Sequence, residues 1–70
     1  MDLIRYYVDL RSYPLETRTA LSNKLEQYSF ICHAFLDKIG IYEVFWDNST
    51  PISTLLNIPQ DLVSTSLPKS

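Results

Sequence analysis

Three residues of this chain stand out as candidates for chemistry: Asp9, Cys32 and His33. Asp9 ends the aromatic run Tyr6-Tyr7-Val8-Asp9-Leu10. Two such carboxylates, one from each copy of a dimer, could hold a divalent cation through oxygen ligands. Taken alone, Asp9 matches no catalytic constellation, and beside Arg11 it reads as a solvated or capping carboxylate. Cys32 and His33 are adjacent and are the chain's one cysteine and one histidine. Neighbours on a strand point to opposite faces, so these two cannot serve each other as nucleophile and base. Cys32 reads as a small core residue and His33 as a histidine on a sheet face. One cysteine excludes an internal disulfide, and one histidine argues against a closed zinc site in a single chain. No metal and no cofactor is expected.

The elements that must carry these residues follow from periodicity. Leu3 to Leu10 is rich in aromatic and β-branched residues and reads as a strand. Ile4, Tyr6, Val8 and Leu10 take the core face; Leu3, Arg5, Tyr7 and Asp9 take the other. A helix is expected over 14–28, with Pro14 at its first position and Glu16 in its first turn, where the positive end of the helix dipole favours an acid. Its apolar stripe is Leu21, Leu25 and Tyr28, with Thr17 and Arg18 one turn earlier. Arg18 and Lys24 read as a solvated face. Two further strands, 30–36 and 41–46, flank Asp37-Lys38-Ile39-Gly40, a hairpin loop whose glycine takes positive φ. On the first, Phe30, Cys32, Ala34 and Leu36 alternate with Ile31, His33 and Phe35. On the second, Ile41, Glu43 and Phe45 alternate with Tyr42, Val44 and Trp46. Neither face of this hairpin is polar, so both are expected to be covered, one by the helix. Thr50-Pro51 signals a second, short helix, with Thr50 as cap and Pro51 at its first position. Ile52, Leu55 and Leu56 form its stripe.

The expected fold is α+β: a small ferredoxin-like βαββα sandwich lacking the last strand. Its three-stranded antiparallel sheet carries one main helix and a short C-terminal helix. Residues 1–63 form the one domain and 64–70 a flexible tail.

The first 37 residues resemble the start of the small CRISPR-associated nuclease-fold subunits and of the virulence-associated protein D family. The likeness rests on a strand ending in aspartate, Tyr6-Tyr7-Val8-Asp9-Leu10, and a basic helix ending Lys24-Leu25-Glu26-Gln27-Tyr28. The strand from Phe30 to Leu36 follows. Ser29 stands where those families carry glycine. The resemblance implies a dimeric ferredoxin-like fold. It also implies the alternative function: a metal-dependent ribonuclease or nucleic-acid-binding protein with Asp9 at the dimer interface.

Composition favours a different reading. The chain has 70 residues, of which 46% are hydrophobic and 13% aromatic. That is more apolar surface than one small layer hides, and a domain of this size commonly gains stability by association. Six basic against eight acidic residues, net −2, give no general pull toward nucleic acid, although Arg5, Arg11, Arg18 and Lys24 cluster early in the chain. No apolar run reaches the ~20 residues of a membrane span and no secretory leader is expected, so a cytoplasmic protein is expected. The favoured function is a small non-enzymatic interaction module, a homodimeric regulator or inhibitor. It binds a protein partner through an aromatic sheet face, Tyr7, His33, Phe35, Glu43 and Phe45, or through a free sheet edge.

Overall fold

The fold is described from a computed structural model covering residues 2–28, 31–36 and 40–67; for residues 28 and 31–36 only the backbone is described. The element order is β1 (Ile4–Asp9), α1 (Leu15–Tyr28), β2 (Ile31–Leu36), β3 (Ile41–Trp46), α2 (Ile52–Leu56) and β4 (Val63–Ser64). The sheet order is β2-β3-β1-β4. β3 is antiparallel to both β1 and β2, so the crossover through α1 leaves β1 and β2 parallel with the hairpin return between them. The expected three-stranded antiparallel sheet with one main and one short helix is therefore present. At its β1 edge, β4 adds a two-residue rung, Tyr7 with Ser64 and Val8 with Val63. Ser64 thus belongs to the sheet. This rung stands where a ferredoxin-like sandwich has its last strand, and nothing in the polar run Ser64-Thr65-Ser66 announces a strand.

One cluster holds the fold. Val8, Leu10, Tyr42, Val44 and Trp46 from the strands pack with Leu25 of α1 and with Ile52 and Leu56 of α2. Tyr6, Leu21 and Leu55 lie against it. The strand residues alternate as period two requires, and both helices meet the same sheet face. The α2 stripe reaches the core because Pro59 ends the helical run two residues after Asn57, which takes the left-handed conformation (φ 57°) as C-cap.

Both helix starts sit one residue later than the sequence suggests. Pro14 precedes α1, and its carbonyl accepts the Arg18 N–H at 2.9 Å. Pro51, not Thr50, occupies the cap position of α2, with no side-chain cap bond. The Thr50 carbonyl instead accepts the Trp46 indole N–H at 2.7 Å. Arg18 also departs from expectation. It is half-buried where a solvated face was expected, with its Nε buried and unpartnered, whereas Lys24 is exposed.

Arg18 lies against the hairpin glycine. Gly40 is buried at φ 87°, and its carbonyl accepts the Leu10 N–H at 2.8 Å, tying the hairpin to the end of β1. A Cβ there would sit 2.8 Å from Arg18 Nη1 and 3.2 Å from the Arg11 Cα. The guanidinium can move aside; the Arg11 backbone and the positive φ cannot be escaped so cheaply. Gly40→Ala is expected to cost about 2 kcal/mol, lowering Tm by roughly 10 °C in a domain of this size. Gly40→Asn should cost less, because asparagine tolerates positive φ. Equal thermal unfolding of Gly40→Ala and the parent chain would contradict this account.

Candidate protein-interaction face

The sheet face away from the helices is built from the odd positions of β1 and β3. Arg5 is in register with Phe45, Tyr7 with Glu43, and Asp9 with Ile41. β2 continues the rows: Ile31 lies opposite Phe45, His33 opposite Glu43 and Leu36 opposite Ile41. Tyr7, Glu43 and His33, three of the five residues expected to bind a partner, thus form one row across three strands. Tyr7, Glu43 and Phe45 are half-buried and Arg5 is exposed. Ile41, at the end of its strand, is an exception at 2% exposure.

The side chains of Cys32, His33 and Phe35 lie outside the described residues; their backbone positions do not. Cys32 is paired with Val44, on the rung of the core. Phe35 falls in an irregularity of the ladder between His33 and Leu36. Such a bulge sets two residues against one and shifts the alternation by one position. As a result Leu36, not Phe35, enters the row of Ile41 and Asp9. A bulge has no signal in Cys32-His33-Ala34-Phe35-Leu36, which alternates without a break, with neither glycine nor proline.

The sequence placed Arg5 on this face without a role. Its guanidinium carbon lies over the Tyr7 ring, 5.6 Å from the centroid. The i, i+2 spacing on a strand is the signal for that contact, since it puts cation and ring side by side on one face.

Asp9 has a defined set of partners. Oδ1 accepts the Arg11 backbone N–H at 3.1 Å and Arg11 Nε at 2.9 Å, and Oδ2 accepts Arg11 Nη2 at 2.8 Å. This bidentate pair closes the turn at the end of β1. The Arg11 guanidinium holds the Asp9 carboxyl below its ordinary range, with partial burial opposing it and the Arg11 backbone N–H adding to it. A cation at Asp9 would have to displace a guanidinium bound to both oxygens. Among the described residues, no three of the His, Cys, Asp and Glu side chains are grouped to hold a metal ion.

A concavity of about 130 Å³ opens beside β1 between Tyr6, Asn48, Pro51, Ile52, Gln60 and Val63. The Tyr6 hydroxyl in it is 3.1 Å from Asn48 Oδ1 and donates to it. Ser53 also lines it, but the lining holds no acid, imidazole or thiol that could serve as base to the Ser53 or Tyr6 hydroxyl.

The chain matches no protein-family model, no curated protein and no solved structure. Among the described residues, no helix is long and apolar enough to cross a membrane.

Proposed function

We propose that this chain is a small non-enzymatic protein-interaction module of the cytoplasm, a regulator or inhibitor that acts through the helix-free face of its sheet. One observation carries the reading. Both helices pack on the Val8, Tyr42, Val44 and Trp46 side, and the opposite side presents Tyr7 and Phe45, half-buried, with Arg5 and Glu43 between them. Aromatic and arginine side chains grouped on an open face are the usual anchors of protein interfaces. Among the described residues the edge strand β2 pairs on one side only, and it could extend the same surface by strand addition. The ribonuclease alternative needs the Asp9 carboxylate for a metal, and Arg11 already holds both of its oxygens.

A photocrosslinking amino acid at position 45 should give a protein adduct in expressing cells, and the same group at position 23, on the exposed side of α1, should give none. Tyr7→Ala should remove the adduct, because losing one anchor weakens an interface by about 2 kcal/mol. Its thermal unfolding should shift less than that of the core substitution Val44→Ala, and Asp9→Ala should leave the adduct intact. Adducts of equal yield from positions 45 and 23, or a Tyr7→Ala chain that is merely unfolded, would sink the reading.

A further inference from the structure

The four residues at the centre of the open face form a small checkerboard. Arg5 stands opposite Phe45 and Tyr7 opposite Glu43, on adjacent strands. Strand spacing and the two-residue step make this a rectangle of about 4.8 by 6.7 Å. One diagonal is Arg5 and Glu43, a cation and an anion. The other is Tyr7 and Phe45, two aromatic rings. Among the described residues the ion pair is that of Arg11 with Asp9. Arg5 has the Tyr7 ring as its neighbour, and among the described residues Glu43 makes no ion pair.

We propose that the partner seated on this face is a second copy of the chain, related by a two-fold axis that lies along the Tyr7–Phe45 diagonal. This rests on the reading of the face as the interaction surface and names what it binds. Rotation about that diagonal turns one face down onto the other and brings each remaining corner to within about 3 Å of the other's position. Arg5 of each copy then meets Glu43 of the other, twice. Tyr7 and Phe45, on the axis, meet their own counterparts. A two-fold interface requires this reciprocity, since every contact of residue i with residue j recurs as j with i. Like charges on that diagonal would repel across the same axis. Opposite charges at exchangeable corners are satisfied by a second copy without any other protein. The surface is small: three strands by six residues is about 15 by 20 Å of flat sheet. Affinity is accordingly expected in the micromolar range, the low end for specific interfaces.

The test is the mass of the full chain by sedimentation equilibrium from low to several hundred micromolar concentration. The parent chain should pass from monomer to dimer. Arg5→Glu and Glu43→Arg should each weaken dimerisation about thirtyfold or more, because each sets like charges across the axis. An equimolar mixture of the two variants should recover the dimer as a heterodimer, since one copy then supplies both cations and the other both anions. That recovery also shows that both variants are folded. A parent chain that stays monomeric throughout would overturn the second copy as the partner while leaving the crosslinking test of the face untouched. A dimer that ignores both charge reversals, or a mixture that does not recover, would overturn it equally. Indifference of that dimer to Tyr7→Ala and Phe45→Ala, with no adduct at position 45, would remove the face itself.

Discussion

Removing the chain from Pro51 onward is expected to unfold it. Ile52 and Leu56, each 3% exposed, leave the core with that segment, as do the partly buried Leu55, Ile58 and Val63. Two fully buried aliphatic side chains are worth about 3–6 kcal/mol together. A 70-residue domain has only about 4–10 kcal/mol in total. The deletion also strips the β4 rung from β1, baring Tyr7 and Val8 to solvent on that edge. It uncovers Tyr42, Val44 and Trp46, which are packed in the same cluster. Circular dichroism of the truncated chain should show no cooperative transition at 25 °C. A truncated chain that melts at the parent temperature would mean that α2 only rests on the sheet and that α1 alone suffices to cover it.

The same segment marks where the sequence is a good guide and where it is not. Ile52, Leu55 and Leu56 are three apolar residues at helical spacing behind a proline, and a pattern that local docks as the pattern says. The core faces of β1 and β3 are legible over Val8, Leu10, Tyr42, Val44 and Trp46, but Ile4, expected on the core face, is 40% exposed, and Ile41, in phase with Glu43 and Phe45, is buried. α1 is bounded by Pro14 and carries Leu21 and Leu25 four apart. What escapes is anything fixed by pairing between distant segments. The β4 rung exists because Val63 and Ser64 are delivered to the edge of β1 by the turn at Gln60–Leu62; two residues are too few for a period to show. The bulge in β2 is a property of the β2–β3 ladder, and alternation in β2 alone gives no hint of it. At the start of α2 the Thr50 carbonyl is taken by the Trp46 indole N–H and Pro51 holds the cap position, a contact across four residues that propensity does not include. The proposed interaction face is half legible for the same reason. Period two groups Tyr7 with Arg5 and Glu43 with Phe45, whereas which residue stands opposite which, and so the charge diagonal, comes only from the register.

Trp46→Ala should be the most damaging single substitution. Trp46 is the chain's one tryptophan, ends β3 at 5% exposure, and belongs to the central cluster. Deleting a buried tryptophan side chain typically costs about 3–5 kcal/mol through lost burial and the cavity left behind. Here it also releases the half-buried Thr50 carbonyl, the 2.7 Å acceptor of the indole N–H. That bond holds the connection from β3 to α2, where Asn48 takes φ 65° and the Asp47 carboxylate accepts the Ser49 N–H at 3.0 Å. The two contributions can be separated. Trp46→Phe keeps most of the ring in the core and removes the donor, so its cost should be about 1–2 kcal/mol, the value of one hydrogen bond with a partly buried acceptor. Urea titration followed by circular dichroism compares the two, since tryptophan fluorescence is lost in both. A Trp46→Phe chain well above the Trp46→Ala chain in stability means that packing of the indole dominates. Equal losses would mean that the connection to α2 depends on the single bond to Thr50, and that the ring is held in the core chiefly by its own N–H.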